Sequence, residues 1–201
     1  MWAVLEIHPL TPERWDDLVG LFGERGAVGG CWCMWWRTTS AEFARSAGAA
    51  NRRAMRTLVG AEREPGLLAY LDERPVGWCS VAPRAEFGRV ERSRVLRPVD
   101  DRPAWSIVCF YIDRRHRGRG VAMALLRAAV AHAASRGAMI VEGYPVETVG
   151  GRRDSGAVFT GTTAMFAAAG FGEVARRSPD RPIMRYAIDA ESGLAPGGPR
   201  E

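Results

Sequence analysis

The sequence predicts one mixed α/β domain built on a single sheet, and two observations carry that prediction. Short strand-like apolar runs and amphipathic stretches follow the order strand, helices, three strands, helix, strand, helix, strand pair. In addition, the run FYIDRRHRGRGVAMALLRAA, Phe110 to Ala129, delivers a strand directly into a helix through a joint crowded with arginine and glycine. A chain of 201 residues is long enough for one full core with short appendages.

Each element has its own signal. Trp2 to Ile7 reads as a first strand. Thr11-Pro12-Glu13 is a helix start, with a hydroxyl as N-cap and proline at the first helical position. Trp15, Leu18 and Phe22 mark the buried face of that helix, and Gly23 ends it. Thr39 and Glu42 have capping-box spacing for a second helix. A third starts near Asn51 and buries Met55, Leu58 and Val59. Leu67–Leu71 and Val76–Val81 form a hairpin turning at Asp72 to Pro75. Arg84 to Arg102 is charged and irregular, with room for a short helix.

The run Trp105 to Ile112 is continuously apolar, as a buried strand is. After it, Val121, Leu125, Ala129 and Ala133 form one helical stripe, flanked by Ala122, Leu126 and Val130 and closed by Arg136 and Gly137. AMIVEGY is the next strand. A Gly/Arg-rich loop, Val149 to Gly156, leads to a helix over about Thr162 to Ala169, ended by Gly170. FGEVARR and PIMRYAI make the terminal strand pair. The domain is expected to span 1–188, and the Gly/Pro-rich tail 189–201 to be disordered.

Composition narrows the function classes. At 47% hydrophobic and 25% charged, the chain has an ordinary globular balance. No apolar stretch approaches the ~20 residues that span a bilayer, so no membrane partner is expected. The N-terminus lacks signal-peptide features, and the four cysteines form no secreted disulfide framework, so a cytoplasmic location is expected. The net charge is +5, and all 28 basic residues are arginine. With no lysine, a Schiff-base mechanism and the P-loop lysine are excluded. The arginines are scattered and no basic aromatic strand motif occurs, so no nucleic-acid partner is expected.

The joint after Ile112 carries the chemistry. The first amides of a helix lack partners, and the helix dipole favours an anion beside them. Gly118 and Gly120 free the backbone to curl there, and Arg115, Arg117 and Arg119 add charge. A diphosphate suits such a cradle, although a solvated basic turn would have the same residues. The pattern lacks the third glycine of a dinucleotide fingerprint and the Gly-Lys-Ser/Thr of a P-loop.

These residues resemble the R/Q-x-x-G-x-G/A signature of the GNAT superfamily of N-acetyltransferases. The match holds in two registers, Arg115-x-x-Gly118-x-Gly120 and Arg117-x-x-Gly120-x-Ala122. TAMFAAAGF, Thr163 to Phe171, is similar to the family's penultimate helix, and the strand order fits over about residues 1–188. The resemblance implies a mixed central sheet whose two middle strands splay apart, flanked by helices. It implies acetyl-CoA as co-substrate, with pantetheine along Phe110, Tyr111 and Ile112 and the diphosphate on the amides of Arg117, Gly118, Arg119, Gly120, Val121 and Ala122. No metal is implied. The acceptor is a small-molecule amine or a protein N-terminal amine, and a homodimer is compatible with the family.

The sequence departs from the family at Phe166, where a tyrosine often protonates the leaving thiolate. Tyr144 is the substitute candidate, or else a packing tyrosine. Glu142 is the candidate general base, or else a salt-bridged glutamate. Asp113 and His116 are expected to orient the loop. In the family, the segment GGCWCMWW, Gly29 to Trp36, would wall the acceptor site. Trp32, Trp35 and Trp36 would then form an apolar or cation-binding wall, the alternatives being an aromatic mini-core or metal binding at Cys31 and Cys33. Cys79 and Cys109 read as core. Two functions remain open: transfer of acetyl to a primary amine by direct attack in a ternary complex, or a CoA-binding sensor or interaction module with weak catalysis.

Overall fold

The computed structural model describes residues 4–148 and 158–188. The strand residues Trp2 and Ala3, the whole Val149–Gly156 loop and the 189–201 tail lie outside them. Strand β1 covers Leu5–Pro9. A short turn at Pro12–Arg14 enters α1 (Trp15–Phe22). Proline opens the turn as expected, but Thr11 makes no side-chain cap. Helix α2 (Ser40–Ser46) begins with a complete Thr39–Glu42 capping box, and α3 (Ala49–Gly60) buries Asn51, Met55 and Val59. Strands β2 (Gly66–Leu71) and β3 (Arg74–Pro83) form the hairpin. Its tip is tighter than expected, because Asp72 and Glu73 both take left-handed backbone, at φ 48° and 61°. A four-residue helix, α4 (Gly88–Glu91), interrupts the charged stretch before β4 (Trp105–Ile112). Then come α5 (Val121–Ser135), β5 (Ile140–Gly143), α6 (Thr163–Ala168), β6 (Gly172–Arg176) and β7 (Pro182–Ala187).

The seven strands make one mixed sheet in the order β1-β2-β3-β4-β5-β7-β6. All neighbours are antiparallel except β4 and β5. Helices cover both faces. On one face, the α5 stripe of Val121, Leu125, Ala129 and Ala133 packs with Ile107, Phe110, Phe166 and Phe171. On the other, α1 and α3 pack with Trp32, Leu68, Tyr70 and Trp78. A third cluster continues that second face past Trp36, Phe87, Val108, Tyr144 and Ile183. Burying the two fully enclosed leucines, Leu125 and Leu126, anchors α5 on the sheet. Truncating either to alanine would cost about 2–5 kcal/mol.

The central parallel pair shapes the site. β4 and β5 pair through only three rungs, Trp105↔Val141, Ser106↔Glu142 and Ile107↔Gly143. At that point β5 ends, while β4 continues to Ile112 against β3 alone. The β3–β4 ladder skips Val108 (Ser80 faces Cys109, Val81 faces Ile107), so β4 carries a bulge where the strands part. The middle of the sheet is therefore splayed, with α5 starting from its open end.

Candidate active site

The opening between β4 and β5 has an aromatic floor. Phe166 is completely buried, edge-on to Phe110 and Phe171 at ring distances of 6.3 and 4.9 Å. Its ring lies so close to β5 that a Cβ on Gly143 would come within 2.0 Å of it. Glycine is thus required at 143 by the ring at 166. A glycine inside a strand pattern signals such a close approach, and AMIVEGY contains that signal. The ring has no hydroxyl to offer, so α6 contributes packing to the site and no proton.

The chain itself crosses the opening. The Phe110 N–H donates to the Phe159 carbonyl at 2.6 Å, and the Val146 N–H donates to the Gly161 carbonyl at 3.0 Å. Val146 also bridges Thr162 in parallel. The Phe159 carbonyl thus occupies the Phe110 amide, one of the strand donors expected to meet pantetheine. Strand alternation turns the N–H of Ile112 to the same side. The Ile112 carbonyl accepts from Arg117 Nε at 3.1 Å. Tyr111 points to the opposite face and meets the Phe22 ring at 5.4 Å.

The joint beyond Ile112 fits a diphosphate. Gly118 and Gly120 have φ of 71° and 79°, and space is open where a Cβ would sit on either. Both glycines serve the left-handed backbone that brings the chain into α5. Gly120 is the N-cap and supplies no side-chain cap, so the first α5 amides, beginning with Val121 and Ala122, have no side-chain acceptor. Asp113 shapes the preceding turn. Its carboxylate accepts from the Arg115 amide at 2.8 Å and from the Arg115 guanidinium at 3.1 and 2.9 Å, and His116 Nδ1 lies 3.6 Å away. The Arg115 hydrogen bonds hold the Asp113 carboxyl well below the usual range. Arg115 is thereby committed to the turn. Arg119 has no ion-pair partner among the described residues and remains available to an anion.

Glu142 and Tyr144 belong to a buried charge cluster. Glu142 is 1% exposed. One carboxylate oxygen accepts from Arg185 Nη2 and Nε at 2.6 and 3.2 Å. The other accepts from Arg84 Nη1 at 3.3 Å and the Tyr144 hydroxyl at 3.2 Å. Four donors use all of the roughly four lone-pair sites a carboxylate offers. The Tyr144 hydroxyl also lies 2.8 Å from Ser106 Oγ, and the residue has no exposed surface. Burial, followed by the Glu142 charge, pushes its pKa up, which makes it a poorer acid. The expected general base and proton donor are both engaged in a buried cluster closed by Asp100 on Arg185 and Glu91 on Arg84. None of Arg84, Asp100 or Arg185 has a local sequence signal.

The aromatic segment divides in two. Trp32 and Cys33 take φ of 43° and 57°, a left-handed kink that drives both side chains inward. Trp32 is 1% exposed, stacked on Trp15 at 6.0 Å, and the expected acceptor-wall role is corrected: it is core beneath α1. Cys33 accepts from Trp78 Nε1 at 3.2 Å. Hydrogen bonding from Cys109, then from Trp78 and Ser80, holds the Cys33 thiol down at about 7 in spite of its burial. Cys31 Sγ is turned toward the Gly26 carbonyl at 3.8 Å. Cys79 is buried as expected, whereas Cys109 is only half-buried. Trp35 and Trp36 line a cavity of about 600 Å³ with Arg89, Arg92 and Arg181. Trp36 lies against Phe159 at 6.2 Å, so this cavity adjoins the segment that crosses the β4–β5 opening.

Comparison with known proteins agrees with this geometry. Among curated protein sequences none matches the chain. The fold is similar to that of a GNAT-family acetyltransferase from Streptococcus pneumoniae, at 15% identity over 92% of this chain and 100% of that one, TM-score 0.54. It is also similar to a GNAT-family acetyltransferase from Listeria monocytogenes 4b F2365, at 8% identity over 94% and 99%, TM-score 0.55. A third likeness is to a chain of the NatC complex bound to Gag peptide and CoA, at 12% identity over 92% and 99%, TM-score 0.53. The family model described as "Acetyltransferase (GNAT) family" matches residues 31–145, more than half of the sequence and the whole path from the aromatic segment through α5 to the end of β5. The chain belongs to the GNAT acetyltransferase family.

Proposed function

We propose that the protein transfers an acetyl group from acetyl-CoA to a primary amine by direct attack in a ternary complex. One observation carries this reading: the parallel pair opens after Ile107 and Gly143, and the open end leads into the uncapped N-terminus of α5 through Gly118 and Gly120. Acetyl-CoA supplies the thioester. The α5 amides and Arg119 hold its diphosphate, and Ile112 presents a strand amide to its pantetheine arm. With Phe159 displaced, the Phe110 N–H would donate to the oxygen on which negative charge develops.

The protein's own residues then orient more than they exchange protons. Glu142, Tyr144 and Phe166 are committed to packing and charge pairing, so the amine attacks in its neutral form and solvent returns the proton to the thiolate. The rate would rise with pH as the acceptor deprotonates, without a plateau set by a protein carboxylate. The test is thiol release from acetyl-CoA across a panel of amines and peptide N-termini, with calorimetric titration of acetyl-CoA alongside. Turnover that tracks the amine's own ionisation supports the reading.

The same absence of a directed acid and base among the described residues favours a second reading, a CoA-binding sensor or interaction module. Tight acetyl-CoA binding without release of thiol on any amine would establish it.

A further inference from the structure

We propose that the cavity beside Trp35 and Trp36 holds the anionic group, a carboxylate or phosphate, of the amine acceptor. This deepens the acetyl-transfer reading and rests on it for the word acceptor, but the binding claim can be tested alone.

The argument begins with charge. The residues lining the cavity include three arginines, Arg89, Arg92 and Arg181, and no carboxylate. Arg89 is held rigidly. Its Nε donates to the Trp35 carbonyl at 2.7 Å and Nη1 to Ser40 Oγ at 2.9 Å, and its guanidinium stacks 3.8 Å from the Trp35 ring. Both acceptors are neutral, so its charge is uncompensated. Its Nη2 is buried and has no partner among the described residues. Burial, followed by repulsion from Arg92, lowers its pKa, so the two cations share the recess at a cost. Arg92 makes no ion pair among the described residues. Glu42 is near enough to feel its charge, but one Glu42 oxygen closes the capping box on the Thr39 amide.

Elsewhere in the molecule the most enclosed arginines are paired. Arg37 is paired with Glu86, Arg84 with Glu91 and Glu142, and Arg185 with Asp100 and Glu142. Two cations left without a carboxylate in one recess await an anion from outside, and a guanidinium fork matches carboxylate or phosphate oxygens. A cation is disfavoured here on two grounds: the arginines repel it, and the Trp35 face that would receive an ammonium is covered by Arg89. An anion therefore sits beside Trp35 and Trp36, in place of the expected apolar or cationic group.

Position ties the cavity to transfer. Arg181 donates to Thr160 Oγ1 at 2.9 Å and to the Tyr144 carbonyl at 3.2 Å, and Trp36 touches Phe159. An anion seated on Arg89 and Arg92 would leave an attached amine over the segment that crosses the β4–β5 opening.

The test is calorimetry without acetyl-CoA, using O-phosphoethanolamine, β-alanine, ethanolamine and spermidine, with tryptophan fluorescence, compared between the protein and its Trp35→Phe variant, as a second readout. We expect at least one anionic probe to bind ten-fold or more tighter than ethanolamine. The phosphate and carboxylate arms tell which anion is preferred. Arg92→Gln changes an exposed side chain, so it should leave the melting temperature in place while removing most of that preference. In turnover, the preferred anionic amine should exceed ethanolamine ten-fold in kcat/KM. Equal or tighter binding of ethanolamine or spermidine, no binding of either anionic probe at millimolar concentration, or a preference unchanged in Arg92→Gln overturns the proposal. Selective binding with no turnover upholds the anion site and removes acetyl transfer. Turnover indifferent to acceptor charge does the reverse.

Discussion

Arg84 and Arg89 stand five residues apart in the chain, in opposite surroundings. Arg84 is 8% exposed and meets two carboxylates, Glu91 at 3.1 Å and Glu142 at 3.3 Å. Arg89 meets a carbonyl and a hydroxyl, with another cation beside it. The first belongs to a saturated cluster in which Glu142, Asp100, Arg185 and Tyr144 answer one another. The second faces a cavity without acids. The same residue type thus does two jobs in one fold. Matched charges hold β5 and β7 to the stretch before β4, and unmatched ones leave a site that a ligand completes. Charge that is already answered cannot easily be lent to chemistry, and Glu142, at the end of β5, has both carboxylate oxygens engaged by donors of the cluster.

The largest effect that would break this contrast lies at Glu142. Glu142→Gln removes the charge that two guanidiniums share, and stability should fall by about 3–5 kcal/mol, the usual cost of stranding a buried ion. Urea unfolding measures it. Should the variant keep its stability while its turnover collapses near neutral pH and recovers at high pH, Glu142 is a base and the saturated cluster has been misread.

A smaller effect is expected at the cradle. Gly120→Asp sets a carboxylate where the α5 amides await the diphosphate, and acetyl-CoA affinity should drop about 100-fold, near 2.7 kcal/mol. The left-handed backbone, at φ 79°, adds strain of about 1 kcal/mol. Calorimetry beside a melting curve separates the two. An unchanged affinity in a folded variant would remove the cradle from the unmatched group.

The smallest effect sharpens the matched side. Hydrogen bonds from Arg185, then Arg102, hold the Asp100 carboxyl well below its ordinary value. A carboxyl depressed in the folded state binds fewer protons folded than unfolded, so its contribution is present above its unfolded value of about 3.9 and is lost as pH falls below it. Asp100→Asn should flatten that acid limb in a stability–pH profile, with little change near neutrality beyond the lost pair. A limb of unchanged steepness would mean that other carboxylates dominate it.

Much of this was legible in the residues. The apolar run Trp105–Ile112 matches β4 end to end, and the stripe from Val121 to Ala133 lies on the buried face of α5, because both signals are local and repeat with the backbone period. The Thr39–Glu42 box formed for the same reason. What stayed hidden was long-range. Among 28 arginines nothing in the sequence marks Arg84 and Arg185 as partners of a glutamate at 142, or Arg89 and Arg92 as unpaired. Trp32 was hidden in another way. Its inward turn depends on positive φ at two residues other than glycine, which composition does not announce. The Phe159 carbonyl at Phe110 is a backbone contact, and side-chain identity does not encode it.

That last contact has a kinetic consequence. If acetyl-CoA needs the Phe110 amide, the molecule alternates between a form that bonds itself and a form that admits the co-substrate. The observed dissociation constant is the intrinsic one divided by the open fraction, so a closed form favoured about 100 to 1 weakens apparent affinity about 100-fold. Association would then stop rising with acetyl-CoA concentration once opening becomes the slow step. A single hydrogen bond, from Phe110 to Phe159, would act as a throttle on the cycle, set by the chain's own competition for its binding strand.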